Sequence, residues 1–261
     1  LPDFGIEGSF VDFTDREKIE SAIRPNTKLL YTESVTNPLL RVEDLDLLKN
    51  LGQKHKLVTM VDNTFATPFL LQPYQLGIDL VVHSATKYIG GHSDVTAGVL
   101  VGREDLMAKA KAKVINLGAN LSPFEAWLGC RGLKTMSVRM ERHVRNAAIL
   151  ASELKSVNGI KNVYYPEYVA ERGSGAMVSI ELDDETDVKT FFKSLGWVKI
   201  IPTLAGLDTT VSYPIATSHR TVPEDTRQKL GINKQLVRIS VGIENENDIV
   251  DAFKNAVEKS L

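Results

Sequence analysis

The sequence predicts an α/β protein: a mostly parallel sheet with helices on both faces, followed by a smaller C-terminal α/β unit. Three observations predict it. Strand-like and helix-like patterns alternate through the front half, a long helical pattern follows at 122–157, and the pattern changes style beyond it. Repeated strand–helix–strand order favours parallel pairing, because each crossover helix carries the chain back to the end of the sheet where it began.

Asp15 suits the N-cap of an amphipathic helix running to Ile23, which Pro25 stops. Residues 27–32 (TKLLYT) read as a short buried strand. Residues 43–55 have helical spacing, with Leu45, Leu48 and Leu51 on one side and Gly52 near the end. LVTMV at 57–61, LVVH at 80–83 and the apolar stretch 95–101 read as further strands, and 103–114 as a helix. The pattern at 122–157 is capped by Ser122-Pro123 and ended by Asn158-Gly159, with Gly129 and Gly132 as points of bending or interruption. Residues 176–182 and 236–241 then look like strands, and 186–195 and 247–260 like helices. The smaller unit is expected to begin near residue 150.

Composition narrows the function classes. The 261 residues are 43% hydrophobic and 25% charged with a net charge of −2, so no general attraction to nucleic acid or to a membrane surface is expected. Lys109, Lys111 and Lys113 read as the wet face of a helix. Cys130 is the single cysteine, so no internal disulfide and no cysteine-rich metal site can form, and a reduced, cytoplasmic setting is expected. No apolar run reaches membrane-spanning length and no signal peptide is visible. The chain lacks an initiating Met, so it is expected to begin inside a longer one.

The chemistry is expected in DLVVHSATKYIGGHSDVTAG, residues 79–98. Ligand sites in open α/β sheets gather at the carboxyl ends of strands. Lys87 stands just past such an end, beside Ser84, Thr86 and the Gly90-Gly91 pair. It reads as an ordinary loop lysine, as a phosphate clamp with the two hydroxyls, or as a Schiff-base lysine whose amine needs partial desolvation. Asp62 ends the preceding apolar strand. A carboxylate there is either a turn residue or the counter-ion of a ring nitrogen, which it keeps protonated. Asp62 and Lys87 on consecutive strand ends could flank one flat cofactor, the arrangement pyridoxal phosphate needs. No GxGxxG, GxxxxGK[ST] or GxSxG motif occurs. His83, His92 and Asp94 match no standard metal spacing, so no metal is expected.

The block VDNTFATPFLLQPYQLGIDLVVHSATKYIGGHSDVTAG closely resembles the Cys/Met-metabolism family of pyridoxal-phosphate enzymes, which includes cystathionine γ-synthase, the cystathionine β- and γ-lyases and methionine γ-lyase. YTESVTNPLLRVEDL and LVRISVGIENENDIVDAF are similar to its upstream strand-end motif and C-terminal signature. The resemblance runs from residue 4 to the end. It implies the type I, aminotransferase-like fold, with a large cofactor-binding domain at 1–149 and a small domain at 150–261. It also implies pyridoxal 5'-phosphate bound through Lys87, with Asp62 on the pyridine nitrogen and Ser84 and Thr86 on the phosphate. Asn37 would lie near the cofactor's O3′ or the substrate carboxylate, supported by Glu33. Arg238 would grip the substrate α-carboxylate at two points, with Thr203 beside it.

The family's N-terminal portion is absent from these residues. That portion carries a glycine-containing phosphate turn, a ring-stacking aromatic, and a Tyr and an Arg for the neighbouring subunit's site. The connection from Tyr165 to Gly175 is shorter than usual in the family. Thr203 stands where the family commonly has Ser, and Pro202 where synthases and γ-lyases often have Glu. The activity expected from the resemblance is a cystathionine lyase acting on an amino-acid substrate by β- or γ-elimination, in a homotetramer built from dimers. Cystathionine γ-synthase, methionine γ-lyase and an inactive fragment with only an assembly role remain alternatives.

Overall fold

The computed structural model describes residues 1–261. Two sheets organise them. The first has the order β1 (Leu29–Glu33), β2 (Val58–Asp62), β3 (Leu80–Ser84), β4 (Gly98–Gly102). β1–β2 and β2–β3 are parallel, and β4 runs antiparallel to β3. The second has the order β5 (Ile160–Tyr164), β6 (Met177–Leu182), β9 (Leu236–Ser240), β8 (Thr210–Ser212), β7 (Lys199–Ile200), and only its β7–β8 pair is parallel.

In the front half, α1 (Arg16–Ala22) is capped by Asp15, whose carboxylate accepts the Lys18 N–H. α2 (Leu45–His55) is capped by Asp44 and turns Leu48 and Leu51 onto Val61 and Val81 of the sheet. Helices cover that face, as expected. On the opposite face, Leu29 and Tyr31 of the edge strand β1 are exposed at 44% and 49%. α3 (Thr67–Leu70) follows β2, and α4 (Glu104–Leu117) follows β4 without a buried residue.

The helical pattern at 122–157 divides into α5 (Pro123–Leu133), capped by the Ser122 hydroxyl, and α6 (Met136–Leu154). The break follows Gly132, whose Cα lies so close to the Ile89 and Gly90 carbonyls that a Cβ would sit 2.5 and 2.3 Å from them. α6 then lies against both halves: Met140 and Val144 pack with Ala66, Phe69 and Tyr88, while Ala147, Leu150 and Leu154 join the core of the second sheet. α7 (Val188–Ser194), α8 (Glu224–Lys229) and α9 (Glu246–Glu258) complete the chain. α7 and α9 bring Phe191 and Phe253 into that same core. No helix is long and apolar enough to cross a membrane.

Candidate active site

The carboxyl ends of β1, β2 and β3 lie side by side, because parallel pairing in register places Glu33 beside Asp62 and Asp62 beside Val82. The Asp62 carboxylate accepts the Thr64 N–H at 2.9 Å, and the Thr64 hydroxyl accepts the Ser84 N–H at 2.8 Å. Thr64 therefore ties the end of β2 to the end of β3. The sequence reading missed it, although a hydroxyl two residues after a strand-end Asp is a common turn signal.

Glu33 accepts the Asn37 N–H at 3.0 Å. Burial pushes its carboxyl up to about 7; the Asn37 N–H opposes this, and the Asp62 and Glu43 carboxylates add to it. Tyr31, two residues earlier on the same face, is pushed up to about 12 by burial and then by Asp62 and Glu33. This side of the site gathers the Glu33 and Asp62 carboxylates, while Glu43, which also raises Glu33, is itself paired with Arg41 at 2.7 Å.

The other side is cationic. Lys87 sits three residues past β3, and its amine donates to the Thr203 hydroxyl at 3.3 Å. Burial, and then the Arg238 guanidinium, hold that amine below the ordinary lysine range, and no carboxylate offsets them. Arg238, on β9 and 2% exposed, donates from Nη1 to Asn37 Oδ1 at 2.9 Å and from Nη2 to the Pro202 carbonyl at 3.2 Å. Burial presses it down to about 10, with only the Tyr88 phenol acting in the other direction. A buried cation without an acid costs several kcal/mol, and a carboxylate ligand is the natural compensation. The loop that joins the two cations is fixed where the Ala205 N–H donates to the Ser240 hydroxyl at 2.7 Å.

The structure therefore brings Lys87, Thr203, Arg238 and Asn37 together, with Glu33 hydrogen-bonded to Asn37 and beside Asp62. Ser84 stands at the end of β3, next to Ala85-Thr86. The Thr86 hydroxyl accepts the Ala97 N–H at 3.0 Å and donates to the Ala97 carbonyl at 3.3 Å. It pins the loop leading into β4, and a phosphate contact would require that donor to leave Ala97. His219 was also missed. Burial and then Arg238 hold its imidazole low while the Asn37 backbone acts to raise it, which puts a histidine beside Arg238 and Asn37.

An amine below its usual range, a buried guanidinium free of acids and a strand-end carboxylate fit an aldehyde cofactor, a carboxylate substrate and a ring nitrogen respectively. The model of the family described as "Cys/Met metabolism PLP-dependent enzyme" matches residues 1–258. The chain belongs to that family. Its members are pyridoxal-phosphate enzymes acting on sulfur amino acids. A cystathionine beta-lyase from Lactococcus lactis subsp. cremoris is 39% identical over 266 residues, covering 98% of this chain and 70% of the relative. A cystathionine gamma-lyase from Bacillus subtilis is 40% identical over 265 residues, covering 97% of this chain and 70% of the relative. Among solved structures, a Campylobacter jejuni protein described as an O-acetylhomoserine (thiol)-lyase superposes with a TM-score of 0.94 at 30% identity, covering 99% of this chain and 72% of that one. It carries N'-pyridoxyl-lysine-5'-monophosphate. The mixed α/β sheets of the chain are thus those of this pyridoxal-phosphate family.

Proposed function

We propose that this member of the family is a cystathionine lyase that expels a thiol by β- or γ-elimination, leaving a 2-oxo acid and ammonia after hydrolysis, with Lys87 joined to the cofactor. The supporting observation is the pair of cations, half-buried Lys87 and buried Arg238, held by the adjacent residues Thr203 and Pro202, neither with a carboxylate partner. When bound, pyridoxal phosphate supplies an electron sink for charge developing at the substrate Cα. Asp62 serves the ring nitrogen, and Ser84 and Thr86 the phosphate. Arg238 and Asn37 fix the α-carboxylate by a two-point grip that sets which Cα bond faces Lys87. Once the substrate's amine has taken its place, the freed Lys87 amine would take the Cα proton and pass it on toward the departing side, a task that its lowered proton affinity suits. Glu33 steadies Asn37, and Thr203 orients the lysine. Residues 1–149 form the cofactor-binding domain and 150–261 the small domain in this reading. The enzyme works in the cytoplasm as a homotetramer of paired dimers.

Cystathionine, homocysteine, methionine, and O-acylhomoserine with cysteine, offered in parallel, test the reading. The expected result is release of a thiol and a 2-oxo acid from cystathionine, abolished in Lys87→Ala. Cystathionine formed only from O-acylhomoserine and cysteine would replace elimination with γ-replacement. Full activity in Lys87→Ala would overturn the role of the lysine.

A further inference from the structure

Arg139 lies on the buried face of α6, in phase with Met140, His143 and Ala147, and is 5% exposed. Burial alone acts on its guanidinium, and no carboxylate offsets it. All its listening partners are neutral oxygens on three pieces of chain. Nη1 donates to the Tyr88 carbonyl at 3.0 Å, Nη2 to the Gly132 carbonyl at 2.8 Å, and Nε to the Thr135 hydroxyl at 3.1 Å. A planar fork can satisfy three divergent acceptors at once, which a lysine ammonium cannot do in this geometry.

The acceptor that matters is Tyr88, the residue after Lys87. The loop beyond it is tightly wound: the Gly90 N–H donates to the Ala85 carbonyl at 2.8 Å and the Gly91 N–H to the Lys87 carbonyl at 2.7 Å. Gly91 has φ +72°, and a Cβ there would lie 2.0 Å from Arg139 Nη1. Gly132 touches the same loop from α5, where a Cβ would strike the Gly90 carbonyl. The lysine-bearing loop is therefore gripped between a glycine on one helix and an arginine on the next. Thr203 alone holds the far end of the Lys87 side chain.

We propose that Arg139 is a positioning residue: by holding the Tyr88 carbonyl against α6, it fixes the Lys87 backbone and so the place and burial of the Lys87 amine. This rests on the reading of Lys87 as the cofactor-joining residue. It adds a group that touches neither cofactor nor substrate.

The test uses the chain with pyridoxal phosphate added, borohydride trapping across a pH series, and peptide mapping, for wild type, Arg139→Lys, Arg139→Met and Thr135→Val. Phe191→Ala, in the core of the second sheet, supplies a comparably destabilised control. In both Arg139 variants the pH midpoint of Lys87 labelling should move up toward ordinary lysine, with labelling at pH 7 falling about tenfold for each unit of movement. Amide exchange at Gly90 and Gly91 should quicken in the cofactor-free chain. Thr135→Val, which removes the Nε acceptor together with the hydroxyl's own bond to the Gly132 carbonyl, should shift both readouts less and in the same direction, and it decides the matter if the Arg139 variants do not fold. Phe191→Ala should move neither. Wild-type midpoints and exchange in the folded variants would overturn the role of Arg139 while leaving Lys87 intact. Label on a residue other than Lys87 in the wild type would overturn the reading of the lysine itself, and this inference with it.

Discussion

Replacing Glu33 with Gln should make the cofactor-free chain more stable at alkaline pH and leave it unchanged in acid. Glu33 sits partly buried at the end of β1 beside Asp62, and its carboxyl is raised from 4.5 to about 7. Below pH 4.5 the folded and unfolded chains both carry the proton, so Glu33 contributes nothing to the pH dependence. Between pH 4.5 and 7 the unfolded chain releases its proton first, and the folded chain loses stability relative to it as pH rises. Above about 7 the loss is complete. A difference of about 2.5 units corresponds to roughly 3 kcal/mol at most. Glutamine keeps an oxygen that can accept the Asn37 N–H, now at 3.0 Å, so the substitution removes the charge without orphaning that donor. Urea denaturation of both proteins at pH 4.5, 6 and 8 measures the difference, and other titrating groups cancel in the comparison. The variant should gain up to about 3 kcal/mol at pH 8 relative to its standing at pH 4.5. A difference that stays flat with pH, or reverses, would refute the burial argument for this carboxyl.

Arg238→Lys keeps the charge but loses the fork to Asn37 and Pro202. In the active enzyme it should raise KM by roughly 10- to 100-fold, since a charged hydrogen bond is worth about 1.5–3 kcal/mol; an unchanged KM would place the carboxylate elsewhere. Gly132→Ala would force a Cβ against two backbone carbonyls of the Lys87 loop, so thermal melting should show a loss of about 1–3 kcal/mol. Phe253→Ala empties a fully buried site where α9 meets the second sheet, and denaturant unfolding should report a loss of about 3–5 kcal/mol.

The lysine and the aspartate were legible because each follows an apolar run that ends abruptly, and parallel strands align such ends. Arg238 was legible only through resemblance, since an isolated Arg on a strand has no local signature of its role. What could not be read depends on distant partners. The break between α5 and α6 falls beside Gly132, which packs on Gly90, far back in the chain, so from the sequence the glycines near it only marked possible sites. Thr86 turns to Ala97, eleven residues on, because β4 doubles back antiparallel and brings that loop alongside. β5 escaped notice because its ladder to β6 is irregular between Ile160 and Asn162, and β7 because two residues carry no periodicity. Arg139 left a signal that went unused: a charged residue in phase with the apolar stripe of a long helix.

The charges of the site are sorted rather than paired. Glu33 and Asp62 stand together at the ends of β1 and β2, and their mutual repulsion adds to the burial that raises Glu33. Lys87 and Arg238 are both cations and meet through the 201–203 loop; burial lowers each, and the Arg238 charge lowers the Lys87 amine further. Had stability been the only constraint, exchanging one member of each pair would have produced buried ion pairs and relieved both strains. Keeping like with like instead makes the site acidic where β1 and β2 end and cationic at Lys87 and Arg238, which suits one kind of occupant. A protonated pyridine ring toward the carboxylates and an amino-acid carboxylate toward the guanidinium meet that description. A carboxylate set against the Arg238 guanidinium would compensate the cost of its burial, which is how a site holds a ligand at the orientation its chemistry requires.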